Sequence, residues 1–308
     1  MKKIIVTGAA GFIGRHLVRK LAKTGADIYA VVRNVLVAER LLPDYDALHI
    51  IGCAVNDDGS VSADIPDSAD VMYHLAWEGF RPEFRKDFAV QAKNIPLTLA
   101  YLELARERKV KKIVMAGSIN EYLYSGVPVN REARPAPGDD YGAVKTALRY
   151  LAERFCAGNG IAFNYAVITG IYAADRRDSN VIFYTIDKLL KGEKPSVTRL
   201  EQKWDYVYID DAVEALGLIG EKGRDGMLYA VGHGDNWELA NYVRIIHEKI
   251  NPALPLGIGE VPYASGVLPM SCIDLADLKN DTGFEPKVDF ETGISRVISQ
   301  IRGEGASA

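Results

Sequence analysis

Hydrophobic and polar positions fall into alternating blocks along the first half of the chain. Ile4-Ile5-Val6 is a short apolar run, a glycine-rich turn follows, and residues 12–23 repeat apolar side chains at helical spacing until Gly25. The pattern predicts strand, turn, helix. Further apolar runs at 28–32, 48–51, 71–75, 113–116 and 163–168 are separated by segments long enough for crossover connections, so they predict parallel strands. Residues 82–110 carry the longest helical pattern, and 140–158 carry a second with Leu148, Leu151 and Phe155 on one side. Helices on both faces of a parallel sheet make an α/β, doubly wound architecture.

Past residue 170 the rhythm loosens. Short strands are expected at 196–199, 206–208 and 228–230, and helices at 180–191, 210–221 and 237–250. This predicts a dinucleotide-binding (Rossmann) domain over 1–170 and a smaller mixed α/β lobe over 171–308, with the chain free to cross between them. No Pro/Ser-rich linker separates the two, so the lobe is expected to pack on the sheet and form a cleft.

Composition narrows the classes of partner. A chain of 308 residues with 48% hydrophobic and 25% charged residues has material for one large core and a lobe. Its net charge of -4 disfavours nucleic acid and anionic membrane as partners and favours a small molecule. Cys53, Cys156 and Cys272 are odd in number and widely spaced, which fits a reducing compartment. Neither they nor the five scattered histidines have ligand spacing, so no metal site is expected. Only three apolar residues precede Thr7-Gly8; without a signal-peptide core or a membrane span, a cytoplasmic location is expected.

Thr7-Gly8-Ala9-Ala10-Gly11-Phe12-Ile13-Gly14 follows the first strand and opens the first helix, the context a dinucleotide-binding turn requires. Gly8 permits the tight turn, Gly11 lets backbone approach a pyrophosphate, and Gly14 lets the helix pack close to the strand. Phosphates would then sit at the helix N-terminus, against free N–H groups and the positive end of the dipole. An acidic residue normally ends the second strand to accept the ribose hydroxyls of NAD, yet Arg33 stands there. A guanidinium suits the 2′-phosphate of NADP, which tips the expectation slightly to NADP over NAD. The other reading of Arg33 is a surface residue stacking on adenine.

Tyr141-Gly-Ala-Val-Lys145 places a phenol and an ammonium on one face of a helix begun by Asp139-Asp140. A free tyrosine titrates near pH ~10, so it carries protons at neutral pH only where a cation stabilises its phenolate. Tyr184 and Lys188 share the spacing but lie in the second lobe, away from the strand ends where ligands bind, and read as helix surface and core. Ser118, just past the strand 113–116, completes the first pair. It would hydrogen-bond the reacting oxygen, Tyr141 would give or take its proton, and Lys145 would lower the tyrosine pKa and hold the nicotinamide ribose. The plainer reading of Ser118 alone is a turn serine.

With these motifs the chain resembles the extended short-chain dehydrogenase/reductases, the NAD-dependent epimerase/dehydratase family of nucleotide-sugar enzymes. The resemblance also runs through DVMYHLAW (70–77), KKIVMAGSINEY (111–122), WDYVYIDDAVEAL (204–216) and DTGFEPKVDFETGI (281–294). It implies cofactor contacts from Leu75, Ala76 and Ile168-Thr169-Gly170, a nucleotide-sugar contact from Asn180, and a homodimer paired through the helices within 82–110 and 140–158.

Departures from the family pattern narrow the activity. Members that dehydrate the sugar carry Asp-Glu directly after the catalytic Ser or Thr, whereas Ile119-Asn120 follows Ser118, and Glu121 stands one place too far on. Trp204-Asp205 replaces the frequent Arg-Asp, which passes the substrate diphosphate to Arg176, Arg177, Arg199 or Lys203 as candidates. Gly52-Cys53 replaces Gly-Asp in the third strand. Two activities remain at sugar C4: an NADPH-dependent 4-ketoreductase, slightly favoured through Arg33, or a 4-epimerase with bound NAD. A reductase of small ketones is disfavoured by the sugar-type lobe. A non-catalytic protein that senses the cofactor and binds partners is the reading of another class; the presence of Ser118, Tyr141 and Lys145 together weighs against it.

Overall fold

The computed structural model describes residues 2–55, 61–175, 180–263 and 268–303. Seven strands form one parallel sheet: β1 (Lys3–Thr7), β2 (Asp27–Val32), β3 (Leu48–Gly52), β4 (Val71–His74), β5 (Lys112–Ser118), β6 (Ala162–Ile168) and β7 (Met227–Val231), in the order β7-β6-β5-β4-β1-β2-β3. Ile5 is paired with Tyr29 on one side and Met72 on the other, so β1 lies where the strand order reverses. That switch point opens a crevice at the carboxyl ends of β1 and β4.

Among the helices that flank the sheet are α1 (Phe12–Ala22), α2 (Asn94–Glu107), α3 (Asp140–Asn159) and α4 (Ile209–Lys222). Successive side chains of β4 show the two faces. The Tyr73 hydroxyl lies against Gly217 and Gly220 of α4, while His74 reaches Thr98 of α2. The central strands β1, β4, β5 and β6 are buried on both faces, which is why they read as continuous apolar runs, while the edge strand β3 is partly exposed.

Three expectations are corrected. Residues 228–230 belong to the main sheet, not to the lobe: Leu228 to Val231 are all buried, as an unbroken apolar run within a parallel sheet should be. The helical pattern at 82–110 is broken into a short turn (Pro82–Phe84), a helix over Phe88–Ala92 capped by the Asp87 side chain, and α2. Starting α2 at Asn94 puts Pro96 in a first turn, where its missing N–H costs no helical hydrogen bond. On α3 the buried stripe is Tyr141, Lys145, Leu148, Ala152 and Cys156, and Leu151, one position off that stripe, faces outward.

The lobe has its own core. The helices Val181–Leu190, Leu239–Ile250 and Phe290–Arg302 close around Tyr172, Tyr206, Tyr242 and Phe290, with the last two rings 4.7 Å apart and nearly perpendicular. A short parallel pair, Gly170–Tyr172 with Tyr206–Tyr208, joins lobe to sheet directly after β6. From there α4 and β7 return to the sheet.

Candidate active site

The glycine turn is tight for steric reasons. Gly8 has φ +69°, and a Cβ on it would lie 2.8 Å from the Ala76 nitrogen, so the ends of β1 and β4 touch backbone to backbone. A Cβ on Gly14 would lie 2.3 Å from the Gly8 carbonyl oxygen, which is the close helix-to-strand packing expected of that position. Thr7 binds the two strands from below: its hydroxyl is 2.9 Å from His74 Nδ1 and accepts the Ala76 N–H, and its carbonyl accepts the Leu75 N–H. Burial pushes the His74 pKa down to about 3, with a smaller contribution from Lys145, so the ring is neutral there.

Helix α1 begins at Gly11 with no side-chain cap and no acidic residue in its first turn. A first turn with no carboxylate at the positive end of the helix fits a dinucleotide pyrophosphate. Arg15 and His16, one step on, both bind the Asp175 carboxylate at 2.9 Å and tie the lobe to this helix. Arg33 leaves the end of β2 with its side chain 81% exposed, and its guanidinium lies 3.9 Å from the Glu78 carboxylate.

Ser118, Tyr141 and Lys145 come together at the end of β5. The turn Ile119–Glu121 packs on the start of α3, where Asn120 hydrogen-bonds Asp139 and a Cβ on Gly142 would collide with the Asn120 carbonyl. Asp139 caps the helix through the Gly142 N–H at 2.8 Å. Lys145 donates to the Ala116 carbonyl at 2.8 Å, two residues before Ser118, and its Nζ is 5.6 Å from the centre of the Tyr141 ring. Burial lowers the Lys145 pKa, and the nearby Glu121 carboxylate opposes that shift. Ile168 pairs with Ser118 across β6, and Thr169 donates to Asp205, a buried carboxylate that also accepts the His233 and Gly234 N–H groups.

Sequence reasoning missed Trp77. Its indole face lies 3.8 Å from Lys145 Nζ, and its ring meets Tyr141 edge-on at 5.6 Å. Only its place three residues after the β4 end pointed to the crevice. Glu121 is fully buried and turned away from the Ser118 hydroxyl into the core, where it accepts from Ser118 N–H and Tyr165 OH.

The second Tyr/Lys pair is peripheral. Tyr184 bonds the Ser196 carbonyl and Lys188 pairs with Glu193. In the lobe, Asn180 caps its helix through the Phe183 N–H, which occupies the side-chain oxygen and leaves the amide nitrogen outside the cap. Arg199 is 72% exposed, 3.8 Å from Glu201. Lys203 lies in the strand pair with Trp237–Glu238, and Arg176 and Arg177 lie outside the described residues. Among the described residues no group of three His, Cys, Asp or Glu is arranged to hold a metal, and no helix is long and apolar enough to cross a membrane.

The glycine turn after β1 and the Ser, Tyr and Lys at the end of β5 are separated in the sheet by β4. Residues 4–232 match the model of the NAD-dependent epimerase/dehydratase family. The chain belongs to that family. It is an enzyme of the nicotinamide-dependent, extended short-chain dehydrogenase/reductase type. A UDP-N-acetyl-alpha-D-glucosaminuronate decarboxylase of Bacillus cytotoxicus is 26% identical over 98% of each chain. Among solved structures, a UDP-glucuronic acid 4-epimerase variant of Bacillus cereus, in complex with UDP-4-deoxy-4-fluoro-glucuronic acid and NAD, superposes with a TM-score of 0.84 at 20% identity over 98% of this chain and 99% of its own. The UDP-glucose 4-epimerase of Thermotoga maritima superposes with a TM-score of 0.79 at 24% identity, over 98% and 99%.

Proposed function

We propose that this family member is an NAD-dependent 4-epimerase of nucleotide sugars, with Ser118, Tyr141 and Lys145 as its catalytic residues. The observation that carries the reading is the grouping of these three at the end of β5, beside the glycine turn that receives the cofactor. When bound, the nicotinamide supplies a hydride acceptor and donor. Ser118 holds the reacting sugar oxygen, Tyr141 takes its proton on oxidation and returns it on reduction, and Lys145 stabilises the phenolate and holds the nicotinamide ribose. Leu75, Ala76 and Ile168 line the cofactor, while Asn180 and Arg199 meet the nucleotide diphosphate.

The preference for NAD over NADP rests on Glu78. A carboxylate 3.9 Å from the Arg33 guanidinium would repel a 2′-phosphate brought to it. The named relatives add support, being 4-epimerases and a decarboxylase of nucleotide-linked sugars. Glu121, buried and holding the Ser118 N–H and the Tyr165 hydroxyl, speaks against a dehydratase. We further propose a homodimer through α2 and α3.

The test is incubation with UDP-linked hexoses, hexosamines and uronic acids and, separately, with nucleotide 4-keto-6-deoxy sugars plus NADPH or NADH. The C4 epimer without net cofactor consumption is the expected result. Stoichiometric NADPH oxidation with a keto sugar would replace the epimerase with a 4-ketoreductase and return Arg33 to the phosphate.

A further inference from the structure

The loop between β4 and α2 carries a charge aimed at the centre of the site. Arg85 lies over the Tyr141 ring, with its guanidinium carbon 5.4 Å from the ring centre, as close as Lys145 at 5.6 Å. The loop is built to hold it there. Gln91, fully buried, accepts from the Trp77 indole and donates to the Gly79 and Phe84 carbonyls. Buried Asn94 bonds both the N–H and the carbonyl of Glu78. Arg85 Nε donates to the Phe80 carbonyl at 3.0 Å, which fixes the guanidinium, and the Tyr141 N–H donates to the Arg85 carbonyl at 3.0 Å, which fixes the loop to α3. Among the described residues no carboxylate lies within ion-pair distance of Arg85.

We infer that Arg85 is a positioning residue for the proton transfer, a second cation that works with Lys145 to stabilise the Tyr141 phenolate. This rests on Tyr141 being the proton carrier. Among the described residues, the charged and titratable groups near Tyr141 include Lys145, Asp139 and Asp140 from its own helix, Arg85 and Glu78 from the loop, and Tyr165 with Glu121 from the sheet side. Three of the acids are engaged elsewhere: Asp139 caps the helix, Glu78 faces Arg33, and Glu121 holds Ser118 and Tyr165. Among the described residues, Arg85 and Lys145 are the cations that lie over the ring. A cation at this range, partly screened by water, moves a phenol by roughly one pH unit. Burial lowers the Lys145 pKa, whereas a guanidinium stays charged at any working pH.

The experiment is a titration of Tyr141 itself. Phenolate absorbance is followed against pH in the full-length protein and in Arg85→Gln and Arg85→Lys, each with its Tyr141→Phe counterpart subtracted and at equal cofactor content. Loss of the guanidinium in Arg85→Gln should raise the Tyr141 midpoint by about one unit, Arg85→Lys should restore most of it, and the acid limb of turnover should move in step. An unchanged midpoint in Arg85→Gln overturns the inference, as does an equal rise in Arg85→Lys, which would mark Arg85 as a structural strut. If the difference spectrum of the unsubstituted protein shows no titration below the free-phenol range, Tyr141 is not the proton carrier, and the inference falls with that reading.

Discussion

The Glu121 carboxylate accepts the Ser118 backbone N–H at 2.7 Å from inside the core. Its remaining partners, the Tyr165 hydroxyl at 2.9 Å and the Thr146 hydroxyl at 3.4 Å, also lie beneath the sheet end, so the side chain braces the serine from behind. Truncation in Glu121→Ala leaves a cavity and an orphaned N–H and should cost about 2–4 kcal/mol, with turnover falling as Ser118 loses its support. Glu121→Gln keeps the acceptor and should cost about 1 kcal/mol near neutral pH. Burial raises the Glu121 pKa, so this group favours the fold at low pH and the benefit is lost as pH rises above the ordinary carboxylate range. Thermal unfolding across pH 4–8 should therefore show Glu121→Gln gaining on the unsubstituted protein as pH increases.

His74 works in the opposite direction. Its folded pKa is depressed to about 3, so the unfolded chain binds the proton first and stability falls as pH drops below the unfolded histidine value. By pH 5 that loss is about 2 kcal/mol. His74→Gln, which still bridges the Thr7 and Thr98 hydroxyls in outline, should flatten the acid side of the stability curve between pH 5 and 7. An acid limb of unchanged slope would mean that another group carries it.

At Gly14 the prediction is steric. A methyl group 2.3 Å from the Gly8 carbonyl cannot be absorbed by a flexible side chain, because the obstacle is backbone. Gly14→Ala must push α1 off β1 and distort the turn that receives the pyrophosphate. We expect a loss of about 1–3 kcal/mol in stability and at least a tenfold loss in NAD affinity by calorimetry. A variant that binds NAD normally would remove the glycine turn from the cofactor site.

Tyr141→Phe separates chemistry from binding. The ring packs between Trp77 and Arg85, and phenylalanine preserves those contacts, so the variant should fold and retain cofactor. Turnover should drop by roughly 10²–10⁴ without a matching rise in KM. Retained turnover would sink the assignment of the proton carrier.

The parts of this site that the sequence disclosed are those encoded locally. Gly8, Gly11 and Gly14 sit within seven residues at the junction of β1 and α1, and Tyr141 and Lys145 one helical turn apart, so spacing alone brought each set together. Trp77 and Arg85 meet the same tyrosine from more than fifty residues upstream, through a loop shaped by Gln91 and Asn94, and no periodicity records such a contact. The broken helix at 82–110 was misread for a related reason. Its apolar pattern continues across the break, and only the position of Pro96 relative to a new helix start separates one helix from two. Residues 228–230 were assigned to the lobe by sequence position, whereas a crossover through α4 returns them to the sheet beside β6.

The outward face of α3 bears on assembly. Since the buried stripe runs through Leu148, Ala152 and Cys156, Tyr150 and Leu151 are left 50% and 47% exposed, and Leu99 on the adjoining α2 is 38% exposed. Large apolar side chains on two helices that pack side by side form a surface that a second copy could cover with the same helices, as a two-fold interface requires. The solution mass should then be twice 33.8 kDa, and Leu151→Lys, which sets two like charges near the two-fold axis at no cost to the monomer core, should halve it. Because α3 also carries Tyr141 and Lys145, a dimer would steady the helix that presents them, so the monomeric variant should lose turnover as well as mass. A single-chain mass for the unsubstituted protein at micromolar concentration would end the dimer proposal and leave the exposed face of α3 to some other partner.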